Sequence, residues 1–516
     1  MQHPDSATRD GIVSTLPKPW EEEESFHDVL YEWMQRAPWL LLSGGLHFVL
    51  FLIVAAIPWS VFEPSEEQHI IAELLPPPPE EPVEEEPEEP EELLPEETED
   101  LPIIEEFTSS ESLNPSDDIS DPDRVTKFVS QNPFDNVGTN GVIGIGGGAA
   151  GGGRGFGGSG RPKGGSPHTE VAVREGLQWL ADHQDENGSW DSDEFMLHDP
   201  ADDRTTGPGD PNHDVGLTGL ALLAFLGDGH SLQRGVHKKV VARAASYLAS
   251  QQDGETGLLG EAIGHSYIYD HALATLSLCE IYRIDGSIAV KLRAQKAIDF
   301  LSRHRQPYGV WGYQPPPSGT EDTSVTGWAL FAMKSAQDGG LKVDVEAFAA
   351  TLRWLDEITD PGTGRVGYTE RGSRSSRVPG INDQFAPERG EALTAVGLLC
   401  RFFLGETPGA SPIMRTQADL LAKRLPRWDP EAGDCDMYYW YYGSYAMFQM
   451  GGRHWKEWNK ALKGAVVDSR RTDGSARGSW DPAGPWGPQG GRVYATATMV
   501  LSLEVYYRYA RLTGAR

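Results

Sequence analysis

From residue 168 onward two kinds of apolar pattern alternate along the chain. In the first kind, seen around "GLQWLADHQDENGSW" (176–190), Val173, Leu177 and Leu180 recur at i, i+4 and i+7 while Arg174, Glu175, Gln178 and Asp182 point elsewhere. That periodicity predicts an amphipathic helix with one face on a core. Gly188 then supplies a turn residue tolerant of positive φ, and Trp190 can fold back on the apolar face. The second kind, such as "HDVGLTGLALLAFLG" (213–227), is apolar nearly all round and predicts a helix buried on every side.

The pair repeats. Echoes of the first segment begin at 246, 299, 353, 419 and 465, the one at 419 being divergent. With Gly188, Gly257, Gly309, Gly364, Gly433 and Gly478 as markers, the intervals are 69, 52, 55, 69 and 45 residues. Each segment is followed by a buried-type helix. Six outer and six inner helices predict an all-α, closed (α/α)6 toroid over 168–516, with an open solenoid as the alternative.

At this point the chain resembles the superfamily of terpenoid cyclases and protein prenyltransferases, through the cyclases' QW repeat. Trp179, Leu180, Gln184, Gly188 and Trp190 match that repeat in full; Phe300, Leu301, Gly309 and Trp311 match with Arg305 in the Gln place. The resemblance implies the squalene cyclase-like toroid, while reaction and fold separate readily.

The N-terminal third reads differently. Residues 37–62, "APWLLLSGGLHFVLFLIVAAIPWSVF", carry no charge, and at about 1.5 Å per residue they exceed the roughly 30 Å of a bilayer's hydrocarbon. A transmembrane helix is predicted over 38–62, with Trp39 and Trp59 at its ends. Arg9, Lys18 and Arg36 all precede it, which places the segment 1–37 in the cytoplasm and the rest outside, in the periplasm or beyond. Ser43 and His47 are a polar pair one turn apart within the span. Ser-x-x-x-His after Pro-Trp, with a Pro/Glu tract following, resembles the anchor of the energy-transducer TonB family. That resemblance implies an ExbB/ExbD-type proton-channel complex as partner of Ser43 and His47.

Composition then explains the charge. Of the 77 acids behind the net charge of -33, 24 lie between Glu63 and Asp123, where there is no Lys or Arg. Residues 63–137 form an acidic, proline-rich tether too poor in apolar residues to fold, and the Gly-rich 138–167 a swivel. Such a polyanion, with no basic patch interleaved with aromatics, argues against a nucleic-acid partner. Cys279, Cys400 and Cys435 are odd in number and far apart, which suggests free thiols.

Candidate chemistry is sparse. Class II cyclases place Asp-x-Asp-Asp-Thr at the start of an inner helix; "GTEDT" sets Gly319, Glu321, Asp322 and Thr323 there, so Glu321 and Asp322 are the catalytic candidates and the first carboxylate is missing. The prenyltransferase zinc positions correspond to Asp434, Asp436 and Ala495, with Cys435 one residue off register, so no metal or other cofactor is expected. Asp214, Asp270, Asp322 and Asp436 all open inner helices and would share one rim, either as helix caps or, with His213 and His271, as acid/base groups. Tyr438, Tyr441, Tyr442 and Tyr445 share one helical face near Trp440, as core or as a ligand wall. Thr218, Thr326 and Thr496 are expected to bond back within their own helices. The resulting expectation is a membrane-held toroid that binds a lipid, polymer or protein ligand. A carbohydrate hydrolase or lyase using rim carboxylates and a divergent polyprenyl cyclase are the alternatives.

Overall fold

The computed structural model describes residues 166–508 apart from Pro379, with side chains described to Val505. The anchor (38–62, with Ser43 and His47), the tether and the swivel lie outside the described residues. Among those described, no helix is long and apolar enough to cross a membrane. The described residues include no strands, only two isolated bridges, Gln252 with Leu259 and Thr359 with Val366.

Twelve α-helices are described, and they alternate in character as the sequence predicts. The outer set is α1 (Pro167–Asp182), α3 (Lys238–Ser250), α5 (Ile288–Arg303), α7 (Glu346–Ile358), α9 (Pro412–Leu421) and α11 (Gly452–Val467). The inner set is α2 (Asp214–Gly227), α4 (Tyr267–Asp285), α6 (Thr323–Asp338), α8 (Ala392–Phe403), α10 (Met437–Met450) and α12 (Gly487–Arg508). Helix α1 starts just ahead of the predicted boundary: Ser166 caps it, accepting from Thr169 N while the Thr169 hydroxyl reaches back. Helix α3 buries Val240, Val241, Ala244, Ala245 and Leu248 and leaves Arg243 outside, whereas every residue of α8 is buried.

Inner helices pack in sequence, α2 on α4, α4 on α6, α6 on α8, α8 on α10, α10 on α12, and α12 returns to α2. The ring is closed, which excludes the open solenoid. Gly219 lets α2 approach α4, since a Cβ there would sit 2.7 Å from Ala274 N. Closure is sealed on the outside by the first and last units. The Trp179 indole donates to Ser475 O (3.0 Å), and Arg477 and Arg470 pair with Glu175 (3.0 and 3.2 Å). Gly478, at φ 93°, fits against the Glu175 carbonyl where no side chain could.

The hairpin turns carry a repeated bonding scheme. Trp190, Trp311 and Trp480 are fully buried, and their indoles donate to Leu180 O, Leu301 O and Val466 O (2.7, 2.8 and 2.8 Å). Their backbone N–H groups donate to Thr218, Thr326 and Thr496 Oγ1 on the inner helix that follows (3.0, 3.2 and 3.3 Å). These threonines therefore serve the hairpin turn and not, as expected, a turn of their own helix. Val366 N on Thr394 repeats the bond in the fourth unit. In the second, Leu259 N donates to His271 Nδ1 (3.0 Å).

Candidate functional site

Because every hairpin runs the same way, the inner helices start at one rim. Five of the six carry an acid at the cap or in the first turn, and α12 carries Arg492 just past a kink at Gly491. Two of these acids are true caps: Asp322 accepts from Val325 N (2.8 Å) and Asp436 from Tyr439 N (3.0 Å). Glu391 caps α8 by position and is held by Arg365 in a two-pronged pair (2.9 and 3.0 Å) with Arg374 nearby (3.5 Å). The capping account fails for the other two. His213 occupies the cap position of α2, and Asp214 accepts from Ser192 N (3.0 Å). Asp270 lies within the first turn of α4 and takes Nδ1 of His213 at 3.0 Å. Burial works against a proton on His213, but Asp270's hydrogen bond and charge outweigh it and raise its pKa.

At this rim Asp322 is the focus of a hydroxyl cluster. Its Oδ1 accepts from Ser324 Oγ (2.5 Å), which meets the Tyr269 hydroxyl (2.5 Å); Tyr269 meets Tyr313 (2.9 Å), and Tyr313 meets Tyr368 (2.8 Å). The four groups come from α6, α4 and the two loops that follow α5 and α7, so the packing of neighbouring hairpins unites them. Asp322 itself is buried, while Tyr269, Tyr313, Tyr368, Tyr438 and Tyr494 are partly buried; these five tyrosines are called the tyrosine mouth below. Burial raises the Asp322 pKa, against the bonds from Ser324 and Val325 and the nearby Tyr368 hydroxyl. The tyrosines are likewise pushed up and stay neutral.

Several polar atoms stand out here. Asp322 Oδ2 and the hydroxyls of Tyr438, Tyr442 and Tyr494 are buried without a hydrogen bond of normal geometry among the described residues, with the Tyr368 hydroxyl near Asp322 and the Tyr442 hydroxyl near Tyr438. Asp322 and Tyr438 are neighbours, since the Asp322 charge bears on the Tyr438 hydroxyl. A buried donor and acceptor left unmade cost about 1–3 kcal/mol each, so such a pair marks a place where a ligand's polar groups fit.

Other residues proposed from sequence are placed elsewhere. Glu321 is half-exposed and its charge is felt at Tyr308, away from the cluster. His271 is fully buried, with Nε2 on Ala297 O (3.1 Å) and a pKa pushed down by burial to about 3; it braces a turn and lines no opening. Tyr442 and Tyr445 pack with Phe331 and Tyr441 stacks on Trp328, so of the α10 face only Tyr438 reaches the mouth. Cys279, Cys400 and Cys435 are free and buried. Among the described residues no cluster of acids, histidines or cysteines is arranged to hold a metal ion.

Tyr269, Tyr313, Tyr368 and Tyr494 were not read as site residues, and neither was Glu391. A signal existed for two of them: "GVWGY" and "GRVGY" each set a tyrosine four residues after the marker glycine, at Tyr313 and Tyr368. In the first unit Ser192 holds that register and contacts Asp214.

No protein-family model matches the chain, and no curated protein sequence does. In structure it is similar to an inactive variant of the α-1,6-mannanase GH76A of Salegentibacter sp. HEL1_6 in complex with α-1,6-mannotriose (12% identity, 66% of this chain and 99% of that chain covered, TM-score 0.44). It is also similar to the type II terpene cyclase MstE from Scytonema (16%, 66% and 98%, 0.42) and to a D-mannose isomerase (14%, 67% and 99%, 0.45). The ring assignment rests on the helix packing above, and the site on its own geometry.

Proposed function

We propose that this protein is held by a single transmembrane helix, residues 38–62, with its N-terminus in the cytoplasm, and that the toroid outside binds a polyhydroxylated ligand of the cell envelope at the tyrosine mouth. Aromatic faces joined to phenolic hydroxyls suit a sugar ring, which offers an apolar C–H face and a rim of donors and acceptors. The observation that carries the reading is the unsatisfied pair, Asp322 Oδ2 and Tyr438 Oη, at that mouth. The uncharged span, the positive residues before it and the acidic tether support display away from the membrane. In this reading Ser43 and His47 face a proton-channel complex of the ExbB/ExbD type; unchanged crosslinking to such a complex after His47→Ala sinks that part.

The test is calorimetric titration of the full-length protein in lipid nanodiscs against envelope oligosaccharides. Binding that weakens about tenfold in Tyr438→Phe is the expected result. Undiminished affinity in that variant overturns the assignment of the mouth.

A second reading makes Asp322 a proton donor, favoured by the burial that raises its pKa. Products released from a polysaccharide, or cyclised from a polyprenyl substrate, and lost in Asp322→Asn would select it. Turnover surviving that substitution would exclude it.

A further inference from the structure

Beside the tyrosine mouth the loops 377–390 and 423–436 enclose a cleft of about 250 Å³. Its walls carry Arg377, Arg389, Lys423, Arg424 and Arg427 against only two carboxylates, Asp434 and Asp436. Asp434 is shared by Arg389 (2.8 Å) and Arg427 (3.2 Å), Arg427 is also paired with Asp429 (2.5 Å), and Asp436 lies 3.5 Å from Arg377. Lys423 and Arg424 are exposed and enter no salt bridge among the described residues. The cleft therefore has an excess of cations over its own carboxylates.

Position links it to the mouth. The Arg377 guanidinium lies 5.7 Å from the centre of the Trp486 ring, and that ring meets Tyr438 edge-on at 6.4 Å. One aromatic side chain separates the cations from the unsatisfied Tyr438 hydroxyl. A ligand longer than one sugar ring, seated on the tyrosines, would lay its next group in the cleft.

The geometry points to an acidic ligand: the cleft takes a carboxylate or phosphate group carried by the polymer whose neutral ring occupies the mouth. This rests on the proposed binding role of the mouth. Arginine suits both anions, because its planar fork matches the paired oxygens of either. Lys423 and Arg424, on the open side, draw the anion in, and that contribution is screened by salt.

The test titrates the full-length protein with tetragalacturonate, its fully methyl-esterified form and a glycerol-phosphate tetramer, at low and high salt. The acid or the phosphate oligomer is expected to bind at least tenfold more tightly than the ester at low salt; which of the two does so identifies the anion. High salt removes most of the difference. Lys423→Glu with Arg424→Glu, both on exposed side chains without ion pairs, brings the anionic probe to the level of the ester and leaves the ester unchanged. Equal affinity for acid, phosphate and ester overturns the cleft and leaves the mouth standing. Anion binding lost in the charge reversal but intact in Tyr438→Phe upholds the cleft and overturns the mouth. Binding of none of the three probes overturns the proposal.

Discussion

The hairpin turns and the inner-helix rim are both visited six times by the chain, and they treat repetition in opposite ways. At the turns, Trp190, Trp311 and Trp480 make the same two kinds of hydrogen bond, to a carbonyl behind and a threonine ahead. At the rim, Asp214 holds Ser192, Asp270 holds His213, Asp322 gathers hydroxyls, Glu391 is clasped by arginines, and Arg492 spans Asp481, Ser479 and Thr206. Recurring turns are what a closed ring needs; the unequal starts set one part of the rim apart from the rest. The two schemes lie side by side at the same end of each hairpin, where Ser192 of the first turn holds Asp214 of the rim.

That contrast can be broken experimentally. Trp311→Ala empties a fully buried site and strands the Leu301 carbonyl that the indole serves, so chemical denaturation should show a loss of about 3–5 kcal/mol, with ligand affinity of the folded fraction unchanged. A change in affinity larger than the change in stability would erase the distinction. Thr326→Val keeps the shape but leaves Trp311 N–H buried without its acceptor, for a loss of about 1–3 kcal/mol by the same measurement. Tyr438→Phe should behave in the reverse sense. Its hydroxyl makes no bond of normal geometry in the free protein, so the denaturation midpoint should stay level or rise slightly while ligand affinity falls about tenfold.

The smallest effect concerns pH. Burial raises the Asp214 pKa to about 6, outweighing the Ser192 N–H that favours its charge. The folded chain then holds this proton more tightly than the unfolded one. Its contribution is fully present below the ordinary value of 3.8 and is lost as pH rises through about 6. The difference in urea midpoint between Asp214→Asn and the natural chain should move in the variant's favour over that window and level off above it. A difference independent of pH would mean Asp214 is not held protonated.

The toroid was legible because its signals are local. Helical periodicity, a glycine at each turn and tryptophan beside it all lie within some fifteen residues, and buried inner helices look apolar whatever their neighbours. The rim was legible only in part. Asp322 and Asp436 could be placed at helix starts from their own surroundings, whereas the company Asp322 keeps could not. Tyr269, Tyr313 and Tyr368 belong to successive hairpins and meet only through ring packing, which no spacing along the chain expresses. His271 was misread for the converse reason. It sits beside Asp270 in sequence but points into the wall, where it replaces the threonine that other units place under the turn. A helix-start histidine invites a chemical reading, and only the partner, Leu259 N–H, reveals the structural one.

Closure of the ring also bears on how the chain can fold. Arg477 meets Glu175 across 302 residues, and the α1 face under Trp179 is completed by Ser475. Local hairpins can form early, since their contacts are short-range, but this seam must await synthesis of the sixth hairpin and a long loop closure. The first hairpin made is therefore among the last to be covered. A chain arrested before the sixth hairpin presents two bare apolar edges, and it is at that stage that the protein depends most on being shielded from its neighbours.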